Sequence, residues 1–351
     1  MKKSNPPQKQ RRLKPKAKIL WITDPWSTLA HSKDTTLRLA QEADLLGVRQ
    51  SWCDVKSIRL ERNKVHLDTT PILSVASGRN PQSFEFGKLE TVTVADFTQL
   101  HYRPDPPIDQ AYLHPLQLLA FAVRGLKNCE IVNPTETLII QNEKFEAAAL
   151  GNLMPPSLVS SQWDHLRAFG QAQGRTVLKP LHEAQSHGIE LLDWRNQDSI
   201  ENSREIIKSA TRHFSTPIIL QHYLEGIADG ETRLWYLDGK LLACAKKHPV
   251  TGDFRVNMDG GSRLTSTQLS RNEKATALKI SKHLKSRLIR LAAIDLIEGY
   301  VTDFNFTSPG LIPQMEDVLN TNLARPIISH LIGSIGWVLR RNEFTKKLTH
   351  P

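Results

Sequence analysis

Residues 292–309 have the sequence Ala-Ala-Ile-Asp-Leu-Ile-Glu-Gly-Tyr-Val-Thr-Asp-Phe-Asn-Phe-Thr-Ser-Pro, and this stretch decides the fold. Two apolar runs flank Glu298-Gly299, a turn signal, which predicts a β-hairpin. Side chains alternate between the two faces of a strand, so Asp303 and Asn305 project from one face, and cross-strand pairing can bring Asp295 to it. Two carboxylates and an amide oxygen can hold Mg²⁺ and leave positions for phosphate oxygens. The alternative interpretation is the solvated polar face of an exposed hairpin.

Composition indicates a globular protein. The chain has 351 residues, of which 39% are hydrophobic and 23% charged, and this length predicts two or three subdomains around sizeable cores. No apolar run approaches the roughly 20 residues that span a bilayer. Cys53, Cys129 and Cys244 are widely spaced and form no CxxC pair, which favours a reducing compartment over a disulfide framework. We therefore expect a cytoplasmic protein without membrane contact.

The positive charge is concentrated at the start of the chain. The formal net charge is +10, and residues 1–18 hold eight Lys and Arg and no acid, so the rest of the chain carries only +2. Residues 1–17 are predicted to be a basic disordered arm, because a segment rich in Pro and Gln cannot bury a core. The arm lacks the apolar segment of a secretory signal. Binding to nucleic acid or to a membrane surface is the alternative role; we expect a solvated tail instead.

The folded part starts as strand, loop and helix. Residues 18–23 are predicted to form a strand that ends at Asp24-Pro25. Asp34 is expected to cap a helix that stops at Gly47. This order opens an α/β layer. Further strands are expected at 97–102, 131–134, 175–181 and 218–224, and further helices begin at Asn142 and span about 272–290.

The opening stretch resembles the metal-binding signature of prokaryotic glutathione synthetase, an ATP-grasp ligase. The family usually has Glu where this chain has Asp303, and the similarity covers roughly residues 18–335 in order. The resemblance implies an α/β fold of the ATP-grasp type preceded by an N-terminal α/β (pre-ATP-grasp) domain. It implies the following division: a substrate-side domain at 18–135, an ATP-grasp domain at 136–335 with its lid at about 145–225 and its catalytic part at about 226–335, and a tail at 336–351.

Two N-terminal motifs are similar to the family's acid-substrate segments. Lys33, Asp34 and Thr35 match a Lys-Asp-Ser sequence at a helix start, and oriented amides there favour a carboxylate. Arg103 opens a segment that matches Arg-Lys-Asp-Pro-Pro-Phe-Asp, and a guanidinium can bind a carboxylate in a bidentate way. These residues are implied to bind the acid. His114 and Leu116 replace an aromatic and a hydroxyl residue of the family, so a related acid or amine is an open alternative.

Other motifs are similar to the family's nucleotide site. Lys144 lies in an Asn-Glu-Lys motif and Lys179 in a Leu-Lys-Pro-Leu motif, and both lysines are implied to contact phosphate. The segment from Gln221 through Tyr223 and Leu224 corresponds to the hinge that contacts adenine, and Asp229 is retained from an Asp-Gly-Asp-Lys-Arg motif. ATP is therefore the implied cofactor.

The catalytic residues are implied in the same way. Arg233 is positioned to stabilise the transferring phosphoryl group. Arg255 and Asn257 belong to a loop that matches Thr-Arg-Gly-Asn-Leu-Ala-Ala-Gly-Gly-Arg, in which Gly260 and Gly261 allow close approach to substrate. Asp295, Asp303 and Asn305 are the implied ligands of Mg²⁺, and Mn²⁺ is also compatible.

One segment departs from the family. After Lys-Pro-Leu the family has Asp-Gly-Met-Gly-Gly, a mobile loop whose amides fold over phosphate. Here the sequence is His182-Glu183-Ala184-Gln185-Ser186-His187-Gly188. Three interpretations stay open: phosphate contacts through side chains, altered rate or substrate, or loss of catalysis with retained nucleotide binding.

The resemblance implies a carboxylate–amine ligase that works through an acyl phosphate. For a glutathione synthetase the acid is γ-glutamylcysteine and the amine is glycine. The partners are then small molecules, and a homo-oligomer is expected by family analogy alone.

Overall fold

A computed structural model describes residues 17–30, 32–76 and 84–334. Residues 1–16 of the predicted arm and all of the predicted tail lie outside the described residues. Within the described part of the chain, the strands form three sheets. None of its helices is long and apolar enough to cross a membrane.

The N-terminal sheet contains eight strands. They are β1 (Lys18–Thr23), β2 (Arg49–Asp54), β3 (Arg59–Glu61), β4 (Lys64–Val75), β5 (Phe84–Phe86), β6 (Glu90–Val92), β7 (Gln99–Tyr102) and β8 (Glu130–Val132). The order is β3-β4-β2-β1-β7-β8, with β5 and β6 paired to β4. The neighbours β2-β1-β7-β8 are parallel, which confirms the predicted α/β layer.

Three helices accompany this sheet: α1 (Thr35–Leu45), α2 (Gln110–Val123) and α3 (Thr135–Ile140). The start of α1 is confirmed, because the N–H of Leu37 donates to Asp34 Oδ1 at 2.9 Å. Its end is also confirmed. Gly47 has φ +67°, a left-handed conformation that glycine adopts without steric conflict.

The middle of the chain forms a small α/β unit with its own core; we name residues 157–222 the lid, after the role predicted for this part of the chain. Its strands are β9 (Ser157–Ser160), β10 (Arg175–Pro180), β11 (Glu190–Asp193) and β12 (Ile218–His222), and its helices are α4 (Trp163–Gln173) and α5 (Gln197–Ala210). The sheet is antiparallel in the order β11-β10-β12-β9. Leu178 and Leu220 of the sheet pack with Leu166, Trp194 and Ile207.

The third sheet carries the opening stretch. Its strands are β13 (Glu231–Leu237), β14 (Lys240–His248), β15 (Arg263–Ser266), β16 (Leu291–Ile297) and β17 (Tyr300–Asn305), and its helices are α6 (Arg271–Ser286), α7 (Ile312–Leu319) and α8 (Ala324–Gly333). The order is β15-β14-β13-β16-β17. One hydrophobic core joins this sheet to the N-terminal sheet, with Leu20 and Leu100 packed in the same cluster as Ile294 and Phe304.

The predicted hairpin is confirmed and contains a β-bulge. Ile297 pairs with Tyr300 and Leu296 with Val301, but Asp295 then pairs with Asp303. Thr302 is the extra residue. Without it Asp295 would face Thr302, so the bulge is what brings both carboxylates to one face of the sheet.

Several predicted boundaries are wrong. Asn142 does not begin an α-helix: α3 ends before it, and the Asn142 side chain accepts from the N–H of Lys144 at 2.9 Å in a tight turn that leads into a 3-10 segment, Glu146–Leu153. Helix α6 ends at Ser286 rather than near residue 290. Strand β12 ends at His222, which leaves Tyr223 and Leu224 in a connection.

Candidate active site

An open cleft lies between the lid and the third sheet. Ten of the predicted site residues line it: Lys144, Lys179, Gln221, Tyr223, Leu224, Arg233, Arg255, Asp295, Asp303 and Asn305. Residues more than 150 positions apart in the sequence therefore share one site.

The three predicted metal ligands lie together on β16 and β17. Asn305 Nδ2 donates to the Ala293 carbonyl at 3.0 Å and approaches Asp295 Oδ2 at 3.4 Å. This contact fixes the amide so that its nitrogen faces the sheet, and Oδ1 is the atom left to act as a ligand. Asp303 pairs with Asp295 in the hairpin register.

Asp295 is buried among cations. Arg233 forms a bidentate pair with it, with Nε–Oδ1 at 2.9 Å and Nη2–Oδ2 at 2.7 Å, and Lys247 Nζ lies 3.0 Å from Oδ2. Lys247 also pairs with Glu231. Burial opposes ionisation of Asp295, but Arg233 and Lys247 outweigh it and hold its pKa below the usual value. For Glu231, burial dominates and raises the pKa.

The two predicted phosphate lysines are held at neighbouring positions. Lys144 Nζ contacts the two Asp303 oxygens at 3.1 and 3.0 Å. Lys179 Nζ donates to Gln221 Oε1 at 3.0 Å and to the carbonyl of the bulged Thr302 at 2.8 Å. Burial lowers the pKa of Lys179. Burial also disfavours the charged form of Lys144, but the neighbouring Asp303 carboxylate has the larger effect and raises the pKa of Lys144.

These residues fit a metal–nucleotide complex. Mg²⁺ in nucleotide sites is usually held by one or two carboxylates plus phosphate oxygens, not by a complete protein cage. Asp295, Asp303 and Asn305 Oδ1 supply such a partial set, and no cluster of three or more His, Cys, Asp or Glu suited to a metal occurs among the described residues. The cations Lys144, Lys179, Arg233 and Lys247 line the same cleft and can neutralise phosphate charge.

Residues 222–224 connect the lid to the third sheet, and we name them the hinge. Their backbone can also contact the edge of a nucleotide base. The N–H of His222 donates to the Pro156 carbonyl at 2.8 Å and that of Tyr223 to the Arg175 carbonyl at 3.2 Å. The N–H of Leu224, by contrast, has no acceptor among the described residues. It is therefore available to a ligand nitrogen or oxygen.

The predicted acid-binding residues lie on the N-terminal side, outside the lining of this cleft. Lys33 is exposed and pairs with Asp259 at 3.2 Å. Thr35 is buried, and its Oγ1 accepts from the N–H of Ile312 at 3.1 Å. Arg103 is also buried; its guanidinium donates to Thr36 Oγ1 at 2.7 Å and to the Pro309 carbonyl at 2.9 Å. Their roles as substrate ligands stay predictions.

The remaining predicted residues occupy loops at the mouth of the cleft. Arg255 is partly exposed and pairs with Asp253. Asn257 Oδ1 accepts from the N–H groups of Asp259 and Gly260 at 2.9 and 3.2 Å, so this side chain shapes its own loop. Gly261 has φ +96°. Asp229 is exposed at the end of a 3-10 turn, Glu225–Asp229, and does not line the cleft.

Two charged residues of the site are absent from the sequence prediction. Lys247 and Glu231 face each other across the β13–β14 hairpin. In a regular hairpin, counting residues from the Asp238-Gly239 turn would pair Glu231 with Lys246, so a charge pair could have been suggested from the sequence. A bulge at Leu242 shifts the pairing by one residue, and Glu231 faces Lys247 instead.

Two solved structures with a similar fold are a D-cycloserine synthetase and an ATP-grasp ligase. The crystal structure of D-cycloserine synthetase DcsG has a TM-score of 0.61 and 16% identity, covering 89% of this chain and 99% of that one. The ATP-grasp ligase PsnB, solved with Mg and ADP, has a TM-score of 0.56 and 14% identity over 90% of this chain and 98% of that one. The chain thus has the fold of an ATP-grasp ligase.

The family follows from the sequence models. The chain belongs to the prokaryotic glutathione synthetase family, because the model of that family's N-terminal domain matches residues 17–138 and the model of its ATP-grasp domain matches residues 143–320. The glutathione synthetase of Prochlorococcus marinus (strain MIT 9313) is 27% identical over 317 residues, which cover 90% of this chain and 99% of that protein. The chain is therefore an ATP-dependent ligase that forms C–N bonds and uses a divalent metal.

Proposed function

We propose that this ligase joins γ-glutamylcysteine to glycine with Mg-ATP, with Mn²⁺ as a possible replacement for Mg²⁺. The family and the relatives named glutathione synthetase support this substrate pair. The single observation that carries the proposal is the convergence of the predicted metal ligands and four cations, Lys144, Lys179, Arg233 and Lys247, in one cleft.

The hinge and the two lysines bind the nucleotide in this proposal. The free N–H of Leu224 donates to the adenine edge, while Lys144 and Lys179 contact phosphate oxygens. Asp295, Asp303 and Asn305 hold Mg²⁺, which when bound neutralises charge on the terminal phosphates.

The reaction has two balanced steps. A carboxylate oxygen of the acid bonds to the terminal phosphorus of ATP, and ADP leaves. The amine nitrogen then bonds to the carbonyl carbon, phosphate leaves, and the nitrogen loses a proton. Arg233 and Arg255 stabilise the negative charge of the transferring group, so the protein acts by positioning and electrostatics, without a nucleophilic side chain.

The acid binds on the N-terminal side. Lys33, Asp34, Thr35 and Arg103 contact the acid in this proposal, and Gly260 and Gly261 let the loop backbone approach it. Asn257 keeps that loop in shape through its two backbone contacts.

The test is release of ADP from Mg-ATP with γ-glutamylcysteine and glycine. Asp303→Asn keeps the side-chain shape but removes a ligand charge, and we expect turnover to fall by roughly 100-fold or more, since loss of an outer-shell partner alone costs 10- to 100-fold. Asp303→Glu restores the family's residue and should retain activity. Asp198→Ala, on an exposed helix start, is the control. No turnover by the wild type with this pair, and turnover with another acid or amine, would refute the substrate assignment.

A further inference from the structure

The segment that lacks the family's glycines keeps an unusual backbone. We name residues 182–188 the covering loop. Gln185 and Ser186 have φ of +54° and +65°, and Gly188 has +67°. Only glycine adopts such angles without steric conflict. Counted from Pro180-Leu181, Gln185 and Ser186 stand where the family's motif has its paired glycines. Gln185 and Ser186 therefore adopt a left-handed backbone conformation that non-glycine residues disfavour, so contacts with other parts of the protein must stabilise it.

Contacts at the start of the loop come from two other segments. Asn142 Nδ2 donates to the Leu181 carbonyl at 3.0 Å, and the N–H of Ile108 donates to the His182 carbonyl at 2.9 Å. At its end, the remaining glycine is required by space as well as by φ. A Cβ on Gly188 would lie 2.8 Å from Pro180 Cγ. The start of the loop is thus held by other segments, and its end has space only for glycine.

The centre of the loop is held by the two strained residues themselves. Gln185 Nε2 lies 3.4 Å from Asp105 Oδ2, and Ser186 Oγ donates to the Val256 carbonyl at 3.3 Å. Asp105 belongs to the acid-side segment that begins at Arg103, whereas Val256 belongs to the loop of Arg255. The covering loop therefore spans the cleft and is tied on both sides.

The covering loop also lines the nucleotide cleft. Glu183, Gln185, Ser186 and His187 border the same space as Lys179 and Asp303. We propose that Gln185 and Ser186 are positioning residues that hold this loop closed over the phosphate site without glycines, and that Gln185 couples the loop to the acid-side segment through Asp105. The link to phosphate rests on the proposed function; the closed loop does not.

Hydrogen exchange of the full chain without nucleotide tests the closed loop directly. The reporters are the N–H groups of Ile108, His187 and Ile189, which donate to the carbonyls of His182, Ala184 and Ser186 at 2.9, 3.0 and 3.4 Å. Each of Gln185→Ala and Ser186→Ala should speed their exchange by about 3- to 10-fold, the effect of one lost hydrogen bond. The double variant should speed it further. Unchanged exchange in the double variant would overturn the proposal.

Two further variants separate the hydrogen bonds from the backbone conformation. Gln185→Gly with Ser186→Gly removes both side chains but favours the left-handed angles, so its KM for ATP should be lower than that of the double alanine variant. Asn63→Ala changes another non-glycine residue with positive φ, +66°, in the turn between β3 and β4. It is the matched control and should leave exchange in residues 182–189 unchanged.

Kinetics test the coupling. Gln185→Ala should raise KM for the acid by about 3- to 10-fold through its lost contact with Asp105, whereas Ser186→Ala should not. Equal effects of the two variants on KM for the acid would refute the coupling. The exchange measurement needs no substrate, so a wrong acid–amine pair would abolish turnover and leave the exchange result intact.

Discussion

Replacement of Arg38 is expected to destabilise the protein strongly, because this arginine is a buried cation between two buried carboxylates. Its Nε donates to Glu316 Oε2 at 2.7 Å, and both Nη atoms lie 3.1 Å from Glu42 Oε2. The exposed fractions of the side chains are 7% for Arg38, 0% for Glu42 and 3% for Glu316. The pair with Glu316 joins α1 to α7, so it connects the N-terminal and C-terminal parts of the chain.

The magnitude follows from what Arg38→Met leaves behind. Removing one partner of a buried ion pair costs about 3–5 kcal/mol. Both glutamates keep other donors: Glu316 accepts from two backbone N–H groups at 2.8 and 3.0 Å, and Glu42 keeps Arg325 at 2.7 Å. We therefore expect the lower end, about 3 kcal/mol. Arg325 binds the same Glu42 but is 54% exposed, so Arg325→Met should cost only about 0.5 kcal/mol.

Urea titration and thermal unfolding of both variants provide the assay. At roughly 2 °C per kcal/mol, Arg38→Met should lower the unfolding temperature by about 6 °C. A variant that also carries Glu316→Leu should not recover the loss, because it removes the acceptor of the Leu323 and Ala324 N–H groups. Equal shifts for Arg38→Met and Arg325→Met would show that burial does not decide the cost, and would refute the reasoning.

Three further predictions concern the lid, the proposed metal site and the covering loop. Gly170→Ala would place a Cβ 2.1 Å from Trp194 Cε2, so it should destabilise the lid by about 1–3 kcal/mol. Limited proteolysis should then cut the variant within the lid, and cleavage only outside the lid would contradict this. Lys247→Met leaves buried Asp295 and half-buried Glu231 without the ammonium group that they share. We therefore expect kcat to fall by roughly 10- to 100-fold with an unchanged circular dichroism spectrum, and Lys247→Arg should restore much of the activity. Desolvation by the surrounding protein, together with Asp34 and Asp24, raises the pKa of Asp105 to about 6, although part of the residue's surface is open to solvent. Its carboxylate is then ionised above that pH and protonated below it, so the protection of the covering loop should fall from pH 7 to pH 5, and the same profile in Asp105→Asn would exclude Asp105 as the cause.

Local turn and cap chemistry made much of the fold predictable from the sequence. Glu298-Gly299 has φ of +53° and +83°, and Asp238-Gly239 has +47° and +70°, as two-residue hairpin turns require. The Asp34 cap fixes the start of α1 in the same local way. Each of these signals lies within a few residues of the structure that it predicts.

The bulges were not predictable in this way. A regular count from Glu298-Gly299 places Asp295 opposite Thr302, and only the bulge aligns it with Asp303. The position of the extra residue depends on distant partners, because the Thr302 carbonyl that leaves the ladder accepts from Lys179 in the lid. Asp295, Asp303 and Asn305 could therefore be proposed as metal ligands from the sequence, but their shared face could not be derived from periodicity.

Non-local contacts of Arg103 could not be predicted from the sequence. The pattern around it predicts contact with a carboxylate, and this stays a prediction. Its guanidinium also donates to the Pro309 carbonyl, 206 positions away in the loop that follows β17. No sequence window could contain that partner.

The separate core of the lid has a consequence for calorimetry. Leu166, Leu178, Trp194 and Ile207 pack within the lid, so a rotation of the lid as a unit uncovers little apolar surface. A change in heat capacity on binding reports mainly apolar burial. Nucleotide binding that moves this lid should therefore show a small change in heat capacity, with the enthalpy set by the polar contacts of the hinge and the covering loop.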